Sequence, residues 1–166
     1  MPAIAATTIQ SSSTRSALAL VGWLALSFTA AAMGGFFLPG EWYASLRKPS
    51  WNPPNWVFGP VWTALYTAMA IAAWLVWRRG GFAGQRFVLS VYLKQLLRNA
   101  LWSPLFFGLR NPGLAFVDIV LLWLAVLATV VAFWKTRPLA GALLVPYLAW
   151  VTFASVLNFA IWRLNR

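Results

Sequence analysis

The chain has no cysteine and no histidine among its 166 residues, and its only acids are Glu41 and Asp118. Without cysteine there are no disulfides and no thiolate to serve as nucleophile or metal ligand. Without histidine there is no imidazole to ligate a metal or haem, or to move protons in catalysis. Two lone carboxylates are a poor start for a hydrolytic pair or a two-metal site. No metal site and no covalently held cofactor is expected, and conventional enzymology is nearly closed off by inventory. Charge of either sign is scarce, at 9% of residues, where a soluble domain carries roughly 25%.

What is there is apolar and aromatic. Hydrophobic residues make up 61% of the chain and the mean hydropathy is +0.72, with 12 tryptophans and 12 phenylalanines. The apolar runs are continuous, whereas barrel strands would alternate. In hydrocarbon the backbone has to bond within its own segment, so the runs read as helices. The expectation is an all-α, multi-pass integral membrane protein, a single bundle of five transmembrane helices over 16–38, 57–77, 87–107, 113–134 and 139–162. Each reaches the roughly 20 residues that a span needs. Pro39-Gly40, Gly80-Gly81, Asn111-Pro112-Gly113 and Pro138 supply the breaks between them. Residues 1–15, rich in Ser, Thr and Ala, read as a disordered tail ahead of a membrane domain over 16–166. A cleaved signal ending near Ala30-Ala31-Ala32 is the weaker reading, because the apolar run is long and the basic start is missing apart from Arg15.

The net charge of +11 points to anionic lipid head groups and not to nucleic acid. It does not orient the chain. Arg15, Arg78, Arg79, Arg86, Lys135 and Arg137 fall on one side, and Arg47, Lys48, Arg110, Arg163 and Arg166 on the other, a balance too even for the positive-inside rule. Lys94 and Arg98 sit inside the third span, one turn apart on a shared face. Asp118 is the acid available to them within the membrane. A structural pairing, or snorkelling to an interface, is expected of these bases.

Three stripes at helical spacing point inward. The second span carries Trp62, Tyr66, Met69 and Ala73; the third, Gln95, Asn99, Trp102 and Phe106; the fifth, Tyr147, Trp150, Ala154 and Leu157, with Asn158 beside them. Unpaired amides are costly in hydrocarbon, so Gln95 and Asn99 should face the interior, bonding neighbouring helices or touching a ligand. Topology brings Trp62, Trp102 and Trp150 to a similar depth, where a pocket is expected. Trp23, Trp77, Trp134 and Trp162 read as an aromatic belt. Proline restricts the loop 39–55, which holds Glu41, Tyr43, Arg47, Lys48, Trp51 and Asn52-Pro53-Pro54-Asn55. That loop is expected to fold over the end of the bundle. Arg47 and Lys48 would stand at its rim, toward ligand carboxylates or lipid phosphates, and Trp51 and Trp56 would act as interface anchors.

The run KPSWNPPNWVFGPVWTALY, followed by QLLRNALWSPLFFG at 95–108 and PYLAWVTFASVLNFAIWRLN at 146–165, resembles the tryptophan-rich TspO/translocator protein family, once called peripheral benzodiazepine receptors. The resemblance covers most of the chain from Trp42 onward. It implies a five-helix membrane receptor or sensor, often a homodimer, expected here in a bacterial membrane. It implies non-covalent binding of protoporphyrin-like tetrapyrroles, flat amphipathic molecules, and of isoquinoline and benzodiazepine ligands. The family's pocket positions fall on Tyr43, Pro53, Phe58, Trp62, Tyr66, Asn99, Trp102, Trp150, Ala154 and Leu157. Light-dependent porphyrin breakdown in some bacterial members makes Trp62 and Trp150 the candidates for any catalysis, and transport of tetrapyrrole or sterol is a further alternative. Phe159 stands where the sterol motif of animal members has tyrosine, which counts against sterol.

Overall fold

The computed structural model describes residues 3–166, with side chains from Ser13 onward. Seven helices follow one another: α1 (Ala3–Gly35), α2 (Glu41–Ser45), α3 (Asn55–Trp77), α4 (Gly81–Gly84), α5 (Arg86–Ser103), α6 (Pro112–Thr136) and α7 (Pro138–Leu164). There is no strand among the described residues. Of the tail expected over 1–15, residues 1–2 lie outside the described residues, and the backbone is already helical from Ala3.

Local chemistry sets the boundaries. Pro112 and Pro138 open α6 and α7 in their first turns, where a missing N–H costs nothing. Asn111 caps α6, its side chain accepting from the Leu114 N–H at 2.9 Å. Gly81, at φ +66°, makes the turn between α3 and α5. Pro104 lacks the N–H that would continue α5, and the chain widens there into a π-helical segment, Pro104–Gly108. Observed ends fall within a few residues of those expected, except that α1 starts at Ala3, well ahead of the expected 16.

Among the described residues four helices are long and apolar enough to cross a membrane: α1 over Ser13–Gly35, α3, α6 and α7. The exception among the long helices is α5, interrupted by Lys94, Gln95, Arg98 and Asn99. It packs against α1 on one side and α6 on the other, while α3 packs on α1 and α7, and α6 on α7. Ala70, Ala72 and Ala73 of α3 are completely buried, and such small side chains let helices come close in lipid. At the α6–α7 corner a Cβ on Gly141 would stand 2.8 Å from the Trp134 Cα.

One tryptophan departs from the expected belt. Trp23 is buried and meets Tyr92 edge-on, ring centroids 5.7 Å apart. Ser27, one turn on, shares a 2.7 Å hydrogen bond with the Tyr92 hydroxyl. That face of α1 is sealed against α5, so Trp23 is core. Trp134, by contrast, is exposed.

Candidate functional site

The three inward stripes meet as their spacing predicts. From α3, Trp62 lies 5.5 Å from Tyr66 on its own helix, and 6.3 and 6.5 Å from Tyr147 and Trp150 of α7. The Trp62 and Trp150 planes are perpendicular, at 89°, the edge-to-face arrangement that aromatic quadrupoles favour. Phe58 adds a third ring, 5.8 Å from Trp150. Ala154, one turn beyond Trp150, packs against the same core.

Beneath these rings lies a chain of polar groups. The Tyr66 hydroxyl donates to Asn99 Oδ1 at 2.8 Å, and Asn99 Nδ2 donates to the Tyr147 hydroxyl at 2.6 Å. Tyr147 passes its own proton to Gln95 Oε1 at 3.0 Å, and Gln95 Nε2 points to Met69 Sδ at 3.9 Å. Three helices are thereby joined by side chains that are almost wholly buried. Both expected amides face inward, and both bond neighbouring helices. The Trp150 indole nitrogen, by contrast, is buried with no hydrogen-bond partner. An unsatisfied donor of this kind costs about 1–3 kcal/mol.

Trp102 packs against the same core as Trp62 and Trp150 but makes no ring contact with either among the described residues. It stacks on Phe106 at 4.9 Å and donates its N–H to Asn158 Oδ1 at 3.0 Å. Asn158 Nδ2 in turn donates to the Pro112 carbonyl at 2.8 Å. Trp102 therefore bridges to an adjoining cluster of Tyr43, Phe106, Ala115, Leu157 and Ile161, against which Phe58 also packs. In the π-helical segment Phe106 and Phe107 both turn toward the loop, meeting the Tyr43 ring at 6.1 and 5.4 Å.

The loop closes over this end. Tyr43, on α2, is buried, and its hydroxyl donates to Asn52 Oδ1 at 3.4 Å. Burial pushes its phenol up from the ordinary value, and the Asn52 bond offsets part of the rise. Lys48 lines the cleft at this end, as expected of a rim residue, but folds back on the loop. Its ammonium lies 4.5 Å over the Tyr43 ring and donates to the carbonyls of Ala44 and Leu46, each at 3.2 Å. The Arg47 backbone is tied to the end of α7: its N–H donates to Asn165 Oδ1 at 2.9 Å, and Asn165 Nδ2 donates to its carbonyl at 2.8 Å. A cleft of about 510 Å³ opens beside α2, lined by Pro39, Gly40, Tyr43, Ala44, Lys48 and residues 52–55. Such a volume suits a small organic molecule. Of the expected site residues, Tyr43 and Pro53 line it; the others lie deeper.

Two participants escaped the sequence. Trp51, expected only as an anchor, meets Phe153 at 5.9 Å, and Phe153 meets Trp150 at 5.5 Å, which extends the aromatic path from loop to core. Trp56 is an exposed anchor as expected. Asn165 gave no signal, because its partner is backbone remote in sequence. Away from the rings, Arg98 pairs with Asp118 at 3.2 Å, the structural pairing expected of them.

Apolar helices of spanning length around an aromatic, amide-floored site under a tied loop define a helical integral membrane protein. The chain belongs to the TspO/MBR family, whose model matches residues 14–163. It is 49% identical over 138 residues to the translocator protein of Homo sapiens, covering 80% of this chain and 82% of that one. It is 45% identical over 143 residues to the tryptophan-rich sensory protein of Cereibacter sphaeroides, covering 86% and 89%. A tryptophan-rich protein TspO of Archaeoglobus fulgidus is 46% identical over 135 residues, covering 80% and 87%.

Proposed function

We propose that this protein is a membrane receptor or sensor for a flat, amphipathic small molecule of the porphyrin type, which also admits isoquinoline- or benzodiazepine-like ligands. The observation that carries the reading is the buried, unpartnered Trp150 N–H within a wall formed by Trp62, Phe58 and Tyr66. A planar ligand stacks on the indoles, and an acceptor atom on it satisfies that N–H. Tyr66 and Asn99 form the floor, Tyr43 and Pro53 the access cleft, and Trp102, Ala154 and Leu157 the flanking contacts. The names of the relatives, "translocator" and "sensory", agree with a binding role. In the same reading α5 crosses the bilayer as a fifth helix, since its neighbours α1 and α6 are both of spanning length and apolarity. Relatives from an animal, a bacterium and an archaeon leave the choice of membrane to experiment, and a homodimer remains the expected assembly.

Titration with protoporphyrin IX in detergent, followed by tryptophan quenching, tests the proposal. Saturable binding is expected, with a loss of at least tenfold in affinity when Trp62→Phe and Trp150→Phe are combined. Unsaturable binding, or affinity untouched by the double substitution, sinks it. The contact of Trp62 with both Trp150 and Tyr147 favours a second reading, light-dependent breakdown of the bound porphyrin by dioxygen with an indole taking part. That reading requires the complex to bleach faster under illumination than free porphyrin in the same detergent, and it falls if the two rates match.

A further inference from the structure

The outer face of α5 is cationic in the middle of a membrane-facing surface. Lys94, Leu97, Arg98 and Leu101 recur at helical spacing and are all exposed. The neighbouring outer face of α6 is aliphatic, with Val117 and Leu121 exposed. Charge facing hydrocarbon is expensive and is ordinarily met by protein, water or a counter-charge. Arg98 has one in Asp118, whose Oδ1 accepts from Nη1 at 3.2 Å. Lys94 has no hydrogen-bond or ion-pair partner among the described residues. Nor has a second copy of the chain a carboxylate to offer. The acidic side chains are Asp118, buried and with Oδ1 held by Arg98 of its own chain, and Glu41, on α2 in the loop at the opposite end of the fold from α4.

We propose that this face holds an anionic phospholipid. Its phosphate meets the Lys94 ammonium and its acyl chains run down Leu97, Leu101, Val117 and Leu121. Lys94 lies eight residues beyond Arg86, roughly 12 Å below the start of α5 at 1.5 Å per residue. Helical side chains lean toward the N-terminus, so Lys94 reaches up toward the α4 end, and bilayers thin locally around such a charge. Arg78, Arg79 and Arg86 are exposed at that same end, where they draw anionic head groups to the leaflet from which Lys94 takes one. The proposal rests on α5 lying in the bilayer and is independent of what the aromatic pocket binds.

The test uses the full chain in nanodiscs of phosphatidylcholine containing spin-labelled phosphatidylglycerol or spin-labelled phosphatidylcholine, read as the ratio of the two association constants. Each basic residue near a lipid surface contributes enough for about a fivefold change. Lys94→Gln is expected to lower the preference for phosphatidylglycerol about fivefold, and Lys94→Arg to retain it. Lys135→Gln, an exposed base in the last turn of α6 on the same side as Arg78 and Arg86, is expected to lower the ratio clearly less, because its ammonium meets water and not a seated lipid. An unchanged ratio in Lys94→Gln, or an equal fall in Lys135→Gln, overturns the proposal. So does displacement of the labelled lipid by inorganic phosphate, which would make the site one for a soluble anion. A change in dimer fraction with lipid preference intact assigns the face to a second copy and equally overturns it. Leu97→Cys in the same nanodiscs, resistant to a membrane-impermeant maleimide, shows α5 to be within the bilayer, so that a failed lipid preference then counts against the lipid alone.

Discussion

At the residue scale, Asn99 does what no other side chain here does: it accepts from one tyrosine and donates to another, each on a different helix. Replacing it with leucine keeps the volume and removes both bonds. The Tyr147 hydroxyl keeps Gln95 as its acceptor, while the buried Tyr66 hydroxyl is left with none. Asn99→Leu is therefore expected to lower stability by about 1–3 kcal/mol, read as a fall in thermal midpoint in detergent. Asn99→Gln should recover little, because the longer amide cannot occupy the same position between the two phenols. The inward direction of Asn99 and Gln95 was legible from sequence, since amides in a span have few places to go. Their partners were not, because Tyr66 and Tyr147 become neighbours only through the relative rotation of α3, α5 and α7. The burial of Trp23 was hidden for another reason. Every face of α1 is apolar, so periodicity cannot select one; the single hint was Ser27, the polar residue that shares its stripe.

At the element scale, the corner between α6 and α7 is the least forgiving. Gly141 runs so close to Trp134 that an added methyl meets backbone as well as side chain, and backbone cannot rotate away. Gly141→Ala is expected to destabilise by about 1–3 kcal/mol through overpacking, whereas alanine at Gly22, where nothing lies within 4 Å, should be neutral or stabilising in the same melt. Pro104 works differently. Sequence predicts that it bends or ends α5, and it does end the regular helix. What the sequence could not show is the wide π-turn that follows, which aims Phe106 and Phe107 together at Tyr43. One extra residue per turn is a register effect, and residue identities alone do not encode it.

At the scale of the whole molecule, the helix boundaries were readable because glycine and proline interrupt uniformly apolar runs. The number of crossings was not, because α5 trades apolarity for its two amides and two bases. The absence of cysteine makes a direct measurement possible. If α5 crosses with the other four, single cysteines placed at Ser13 and at Arg166 should react with an impermeant maleimide from opposite faces of sealed vesicles. Reaction from the same face would remove α5, or another helix, from the count of spans.

The tie between Arg47 and Asn165 has a consequence for rates. It holds the loop to the end of α7 through two hydrogen bonds at 2.9 and 2.8 Å, and neither partner touches the aromatic wall. A latch outside the wall sets the height of the barrier that a ligand crosses in both directions, and leaves the depth of the well alone. Asn165→Ala should therefore quicken association and dissociation by similar factors, about three- to tenfold if two exposed hydrogen bonds contribute about 1 kcal/mol between them, with the equilibrium constant unmoved in stopped-flow traces. On that account the residence time of the proposed ligand is written at the C-terminal end of α7, several turns beyond Trp150 on the same helix.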